Sequence, residues 1–484
     1  MFTETLPVGG GAAGPQPAPA PLPWIETRPG LPFFVTDQGK PWTPIGQNDS
    51  IAWVELAPLF RRKDVAAVER HLHWLRDSGV TVLRLMLECA HKRNRYIELS
   101  VGRFSPNMVR MWDDLFAMCE RLGLRILLTP VDTFWTWIRW RYHPWATENG
   151  GVLDHPSRLL TDGAVRDAIK ARLEFAVRRW GGSGALFAWD LWNEIHPAQG
   201  GDSADAFPEF IADLSAFVRG LEMELYGRSH PQTVSLFGPE LWWKPEMELR
   251  EPIYRHPDLD FASIHIYREG TIDAPRNTVT PALDMAKIVR MSLEEIRDDR
   301  PFLDSEHGPI HSFKDKRRVL PAAFDDEYFR HMAWAHMASG GAGGGMRWPN
   351  RTPHTLTPGM RDAQAAMSRF LPLIDWTRFV RRNLNEEVSV PNRRRVGVAA
   401  CGDGEQALVW LVRRDTAVPA GKRLSCVDPE AAAIEVEVEV PGLSGRRTGT
   451  LFDTKAGQVV GTAEVVDGRF AVPLATDLAV AIRR

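Results

Sequence analysis

Between residues 43 and about 375, short apolar runs alternate with amphipathic segments, and this alternation constrains the fold more than any other feature. The clearest amphipathic unit spans 64–78, with Val65, Val68, Leu72 and Leu75 on one face. Asp64 can cap its start and Gly79 stops it. Further helices are predicted over 106–122 and 162–180. Strands are predicted over 43–47, 80–86, 125–129, 185–192, 233–237, 261–266, 301–305 and around 344–347. Eight strands with intervening helices over roughly 335 residues predict an α/β chain folded as a (β/α)8 TIM barrel with long loops. A doubly wound open sheet is the alternative, but no GxGxxG or GxxxxGK[ST] follows the early strands.

The barrel is expected over 31–380, flanked by two different segments. Residues 1–30 are rich in Gly, Ala and Pro and read as a disordered or extended leader. The pattern 33–42 predicts a hairpin turning at 37–39. Residues 385–484 carry short, turn-bounded strands, among them 407–412, 433–440, 448–452 and 469–472. They predict an all-β sandwich in which Ile434, Val436 and Val438 are buried and the alternating glutamates solvated.

A formal net charge of -3 over 484 residues gives no reason to expect nucleic acid or an anionic membrane as partner. No run of about 18 apolar residues predicts a membrane span. Residues 1–23 lack the basic and apolar regions of a standard secretory signal, so a cytoplasmic location is expected. Cys89, Cys119, Cys401 and Cys426 show no metal-ligand spacing. Cys89 and Cys119 read as buried thiols, and Cys401 and Cys426 could pair. No motif calls for a cofactor or a metal.

In a β/α barrel the reactive groups project from the C-terminal ends of the strands. The second strand carries Arg84, and the fourth runs out as Trp189-Asp190-Leu191-Trp192-Asn193-Glu194. The sixth ends His265-Ile266-Tyr267 and the seventh Asp304-Ser305-Glu306-His307-Gly308. Two carboxylates, an arginine, an amide, an imidazole and a phenol therefore converge on one mouth. Glu194 and Glu306 are 112 residues apart, three β/α units, which sets them across the barrel from each other. Cleavage of a glycosidic bond needs such a facing pair, one protonated to assist the leaving group and one ionised to attack. Asp190 and Asp304 read as structural acceptors, and His71, His73, His331 and His336 as structural or surface groups.

Trp-Asn-Glu at the end of the fourth strand and Ser-Glu-His-Gly at the end of the seventh resemble clan A glycoside hydrolases, especially family 5, which holds cellulases and β-mannanases. The likeness covers roughly 31–375. It implies that Glu194 is the acid/base and Glu306 the nucleophile of a retaining double displacement on a β-mannan, β-glucan or related glycan. It further implies that Asn193 meets the sugar 2-hydroxyl and that Arg84 keeps the nucleophile ionised. His265 and Tyr267 would line the reacting subsite, with Trp348 as its apolar platform. The chain departs from the family pattern at two places. Ile195-His196-Pro197 stands where proline commonly follows Asn-Glu, and Asp132 stands where many members end the third strand in histidine. Both bear on sugar specificity, and Asp132 counts as a substrate-binding candidate.

The 18 tryptophans are the one unusual number in the composition. Trp135, Trp137, Trp140 and Trp145 lie within eleven residues, interleaved with Arg139, Arg141 and His143. Two readings stand: a wall for sugar rings, with Trp135 and Trp137 in contact, or a long loop packed by its own aromatics. Trp242 and Trp243 divide the same way. The glycines of 340–345 fit either a close backbone approach at the last strand or a hinge. A metal-dependent barrel recruiting His265, Asp132, Glu194 and Glu306 is a rival from another enzyme class, though no HxH or HExxH supports it. A glycan-binding protein without turnover is a third reading.

Overall fold

A computed structural model describes residues 21–88, 96–267, 275–309, 319–349, 351 and 353–484. Cys89 and most of the leader lie outside the described residues. The barrel strands are β1 (Gly46–Asp49), β2 (Val82–Met86), β3 (Arg125–Thr129) and β4 (Leu186–Asp190). They continue with β5 (Gln232–Thr233 and Ser235–Phe237), β6 (Ala262–Ile266), β7 (Phe302–His307) and β8 (Met346–Arg347). All pair in parallel. The two pieces of β5 are one strand interrupted at Val234. Its first piece pairs with β4 and its second with β6, which closes the barrel.

The main helices are α1 (Val65–Asp77), α2 (Pro106–Leu122), α3 (Gly163–Trp180), α4 (Phe207–Tyr226), α5 (Val279–Glu295), α6 (Ala322–Ala338) and α7 (Pro358–Phe370). Their ends follow local chemistry. The Asp64 and Asp162 carboxylates accept the first free N–H groups of α1 and α3, and Gly123 ends α2 in the left-handed region at φ 75°. Helices do not fill every crossover, as the alternation predicts they should. Between β5 and β6 stand only the short turns Glu240–Trp243 and Glu251–Arg255.

The bottom of the barrel is plugged by a three-stranded antiparallel sheet of Ile25–Glu26, Phe34–Thr36 and Pro41–Trp42, which contains the expected hairpin. Phe34 stands edge-on to Phe187 and Phe261 at 4.9 and 5.3 Å. The leader reading therefore runs too far into the chain. Trp24 and Ile25 are buried, and Trp24 stacks on His230 at 3.7 Å, because its apolar surface finds a place under the barrel.

Beyond the barrel, eight antiparallel strands from Arg382–Asn383 to Asp477–Arg483 form one sheet folded over a second core of Val409, Leu411, Val436, Val438, Leu451, Val472 and Val480. Over Ile434–Glu439 the valines point in and the glutamates out, as their alternation requires. This sheet packs on α6, which explains why every residue from Tyr328 to Ala338 is buried. The seam holds a buried ion pair, Arg330 Nη2 to Asp477 Oδ1 at 2.9 Å, beside the Trp410 and His331 rings. Cys119, Cys401 and Cys426 are free thiols, so Cys401 and Cys426 do not pair. Among the described residues no helix is long and apolar enough to cross a membrane.

Candidate active site

At the C-terminal mouth of the barrel, polar side chains assemble around Arg84, which projects from β2 and is buried. A buried guanidinium is tolerated only when its charge is met and its donors are used. Here Nη1 donates to Asn48 Oδ1 at 2.8 Å and to Glu306 Oε2 at 3.0 Å. Nη2 donates to Asp190 Oδ2 at 2.7 Å and to the Asn193 side-chain oxygen. Asp190 also accepts from the Ser235 backbone N–H and hydroxyl at 3.0 and 2.9 Å. Asn193 donates its amide N–H to Asp132.

Two local irregularities aim the glutamates. Glu194 sits at φ 51°, a left-handed conformation uncommon outside glycine, held by its own N–H to Ser235 Oγ at 3.2 Å and by Ile195 N–H to Ser235 O at 3.0 Å. On β7 the register slips: Ile264 faces Asp304 but His265 faces Glu306, leaving Ser305 as a bulge. That bulge brings Glu306 level with His265. The imidazole Nδ1 then lies 2.7 Å from Glu194 Oε1 and 3.8 Å from Glu306 Oε2. The Tyr267 hydroxyl donates to Glu306 Oε1 at 2.6 Å. One oxygen of each glutamate and one His265 nitrogen lie within 4.8 Å of one another. Retaining glycosidases hold their carboxyls about 5–5.5 Å apart and inverting ones about 6.5–9.5 Å, so this pair has the retaining spacing.

The electrostatics divide the two carboxyls. Burial pushes Glu194 up to about 7, with only partial relief from Arg84. Burial pushes Glu306 up as well, opposed by His265, Arg84 and the Tyr267 hydroxyl. Burial also drives His265 down to about 4, so near neutral pH it is uncharged. Arg84 and Tyr267 are then the groups that favour the Glu306 anion. A neutral imidazole can accept from a carboxylic acid or donate to a carboxylate, so its contact with Glu194 survives both protonation states. Tyr267 is held well above its ordinary range by burial and by Glu306, which keeps it a proton donor. Glu306 thus has two donors, Arg84 and Tyr267, that favour its anion against burial, whereas Glu194 has Arg84 only at a distance.

Asp132 is 1 % exposed, and burial pushes it up to about 7. It caps the short helix Thr133–Ile138 by accepting from Phe134 and Trp135 N–H, and it takes the Asn193 amide. Its hydrogen bond toward the mouth runs through Asn193. Trp348 lies half-buried beside β8, edge-on to Trp53 at 4.9 Å.

The tryptophan-rich segment mostly packs on itself. Trp145 is fully buried, donating to Glu98 Oε2 at 2.8 Å under the Arg172 guanidinium. Trp140 stacks on His143 and donates to Asp154 O. Trp135 is 9 % exposed, whereas Trp137 keeps 41 % of its surface. Trp243 is exposed and continues an aromatic row, 5.8 Å from Phe237, which is 5.5 Å from Tyr267. Asn48 and Ser235 are missing from the sequence reading. Asn48 directly follows the predicted first strand, so the rule that found Arg84 and Asn193 could have found it. Ser235 gives no such signal, because only the break at Val234 turns it toward Asp190.

The chain matches no family profile. Over 193 residues it is 27% identical to mannan endo-1,4-β-mannosidase 2 of Arabidopsis thaliana, covering 35% of this chain and 43% of that protein. It is 22% identical to mannan endo-1,4-β-mannosidase 1 of the same plant, covering 36% and 45%. The chain thus spans less than half the length of these two relatives. Among solved structures, a family 5 glycoside hydrolase from Bacteroides vulgatus superposes with a TM-score of 0.61 at 11% identity, over 95% of this chain and 93% of that one. An endo-β-1,4-mannanase from Thermotoga petrophila superposes at 0.51 and 14% identity, over 90% and 92%. In fold, from barrel to appended β-sheet, the chain resembles glycoside hydrolases of family 5.

Proposed function

We propose that the chain is a retaining glycoside hydrolase acting on a β-linked glycan, with β-mannan the first candidate, β-glucan and related β-glycosides behind it. One observation carries this reading: two carboxyls at retaining spacing, the buried Glu306 accepting from Arg84 and Tyr267, which favour its anion, and the partly buried Glu194 pushed toward neutrality. Glu306 attacks the anomeric carbon while Glu194 gives its proton to the departing glycosidic oxygen. The C–O bond to the leaving group breaks as the bond to Glu306 forms. Glu194, now ionised, takes a proton from water, whose oxygen attacks the same carbon and releases Glu306. Asn193, oriented by Arg84 and Asp132, has its second amide hydrogen for the sugar 2-hydroxyl. Trp348 supplies an apolar face to the reacting ring, and Trp137 a further one along the cleft. The likeness to the plant mannosidases supports β-mannan as the first substrate to assay.

A metal-dependent reaction is the second reading, because Glu194, His265 and Glu306 also have ligand spacing. Against it, Arg84 already occupies Glu306 Oε2 at 3.0 Å, and a guanidinium there repels a cation. A screen of aryl β-glycosides and polysaccharides, with Glu306→Ala as control, tests the proposal. Full activity in that variant refutes the nucleophile assignment, and binding of a divalent cation that is lost in Glu306→Gln favours the metal reading.

A further inference from the structure

A second polar cluster lies outside the catalytic mouth, on the opposite face of β1. Side chains alternate along a strand. Asn48 points inward to Arg84, so Gln47 and Asp49 point outward, toward α1 and α7. Gln47 Oε1 accepts from Arg361 Nη1 at 2.8 Å, and so does Gln364 Oε1 at 2.8 Å. Asp49 is 3 % exposed; its Oδ1 accepts the Ser50 N–H at 2.6 Å, whereas its buried Oδ2 has no hydrogen-bond partner. Glu55, from the loop after β1, approaches His71 of α1 at 3.8 Å between Oε2 and Nε2, and that nitrogen too is buried without a hydrogen bond. One ligand atom from each of Asp49, Glu55 and His71 lies within 4.8 Å of the other two.

Two carboxylates here face one arginine. Arg361 spends Nη1 on the two glutamines, and its Nε and Nη2 make no hydrogen bond, so neither carboxylate is bonded to it. A buried carboxylate oxygen without a donor is costly, and a cation is the partner that would satisfy it while also engaging the imidazole. We propose that Asp49, Glu55 and His71 form a binding site for one divalent transition-metal cation of the zinc class. One imidazole and two carboxylates are a donor set for such borderline ions, water completing the shell. Tetrahedral bonds of about 2.0–2.1 Å put donors about 3.4 Å apart, so the 3.8 Å between His71 and Glu55 closes with a small side-chain movement. The ion ties the loop after β1 to α1. That loop carries Trp53, the ring against Trp348, so the site buttresses the mouth without taking part in the chemistry.

The test uses the full chain, stripped with a chelator and titrated with Zn2+ by calorimetry, with metal content measured after desalting. One zinc per chain and a rise in unfolding temperature are expected. His71→Asn and Asp49→Asn should both lose stoichiometric binding while the stripped His71→Asn protein melts like stripped wild type, and Glu306→Gln should keep it. His71 is less buried than Asp49, keeping 11% of its side-chain surface, so its variant carries the test if Asp49→Asn fails to fold. Absence of stoichiometric zinc in the wild type overturns the proposal. So does binding that persists in His71→Asn, or binding lost only in Glu306→Gln, which would move the metal to the catalytic glutamates.

Discussion

Replacing Glu194 with glutamine should stabilise the protein at neutral pH while abolishing most of its activity. The folded chain carries this carboxyl from its ordinary 4.5 to about 7, chiefly through burial. The folded state thus holds the proton more tightly than the unfolded chain. Its stabilising effect is complete below about pH 4.5 and is lost as pH rises through about 7. The full displacement corresponds to roughly 3 kcal/mol. The side chain keeps 20% of its surface, and water relieves part of the penalty, which leaves about 1–3 kcal/mol at pH 8. Glutamine fills the same space without the charge. The variant should match the wild type at pH 4 and exceed it by that amount at pH 8. At about 2.1 cal/mol/K per residue, the 484-residue chain has an unfolding entropy near 1 kcal/mol/K, so the melting point should rise by about 1–3 °C. Scanning calorimetry of both proteins from pH 4 to pH 8 measures the difference. A gap that is constant with pH, or one that favours the wild type at pH 8, refutes the account of Glu194 as a carboxyl strained by burial.

Tyr267→Phe removes the donor to Glu306 Oε1, and kcat measured across pH should fall with its acidic limb moved to higher pH, since the anion loses a stabilising contact. Trp145→Ala should cost about 3–5 kcal/mol in urea unfolding, as a fully buried indole is lost, whereas Trp137→Ala should leave stability within about 0.5 kcal/mol and raise KM on oligosaccharides. Asp477→Asn breaks the buried pair with Arg330 at the seam and should cost about 3–5 kcal/mol. The Asp477 carboxyl is held far below its usual range, with Arg330 the main opponent of burial. That stability is therefore present above about pH 4 and fades as pH falls further, which acid titration of both proteins checks.

The alternation of apolar runs and capped helices was sufficient to read a closed barrel, because strands buried on both faces must be near-continuously apolar and α1 to α3 carry their own start and stop signals. The Arg84, Glu194, His265, Tyr267 and Glu306 cluster was legible for a related reason: polar groups ending apolar strands have one place to go. The interruption of β5 and the bulge at Ser305 were not legible. They arise from closure of the barrel, and no local propensity records them. The missing helix between β5 and β6 was likewise hidden, since a short turn and a short helix begin alike. The tryptophan segment shows the limit in another form. Spacing cannot tell an indole over a cleft from one under an arginine, and here Trp145 took the second role and Trp137 kept an open face. Asp132 occupied the expected strand end, yet helix capping and the Asn193 contact claimed its oxygens.

The central claim is that Glu306 attacks the sugar directly. Proton magnetic resonance during the first minutes of hydrolysis of an aryl β-mannoside or mannan oligosaccharide reads the anomeric configuration of the new reducing end before it mutarotates. Double displacement through Glu306 predicts that the β-anomer appears first and the α-anomer follows by equilibration. If the α-anomer appears first, the reaction inverts, water rather than Glu306 is the nucleophile, and the roles given to Arg84 and Tyr267 are wrong.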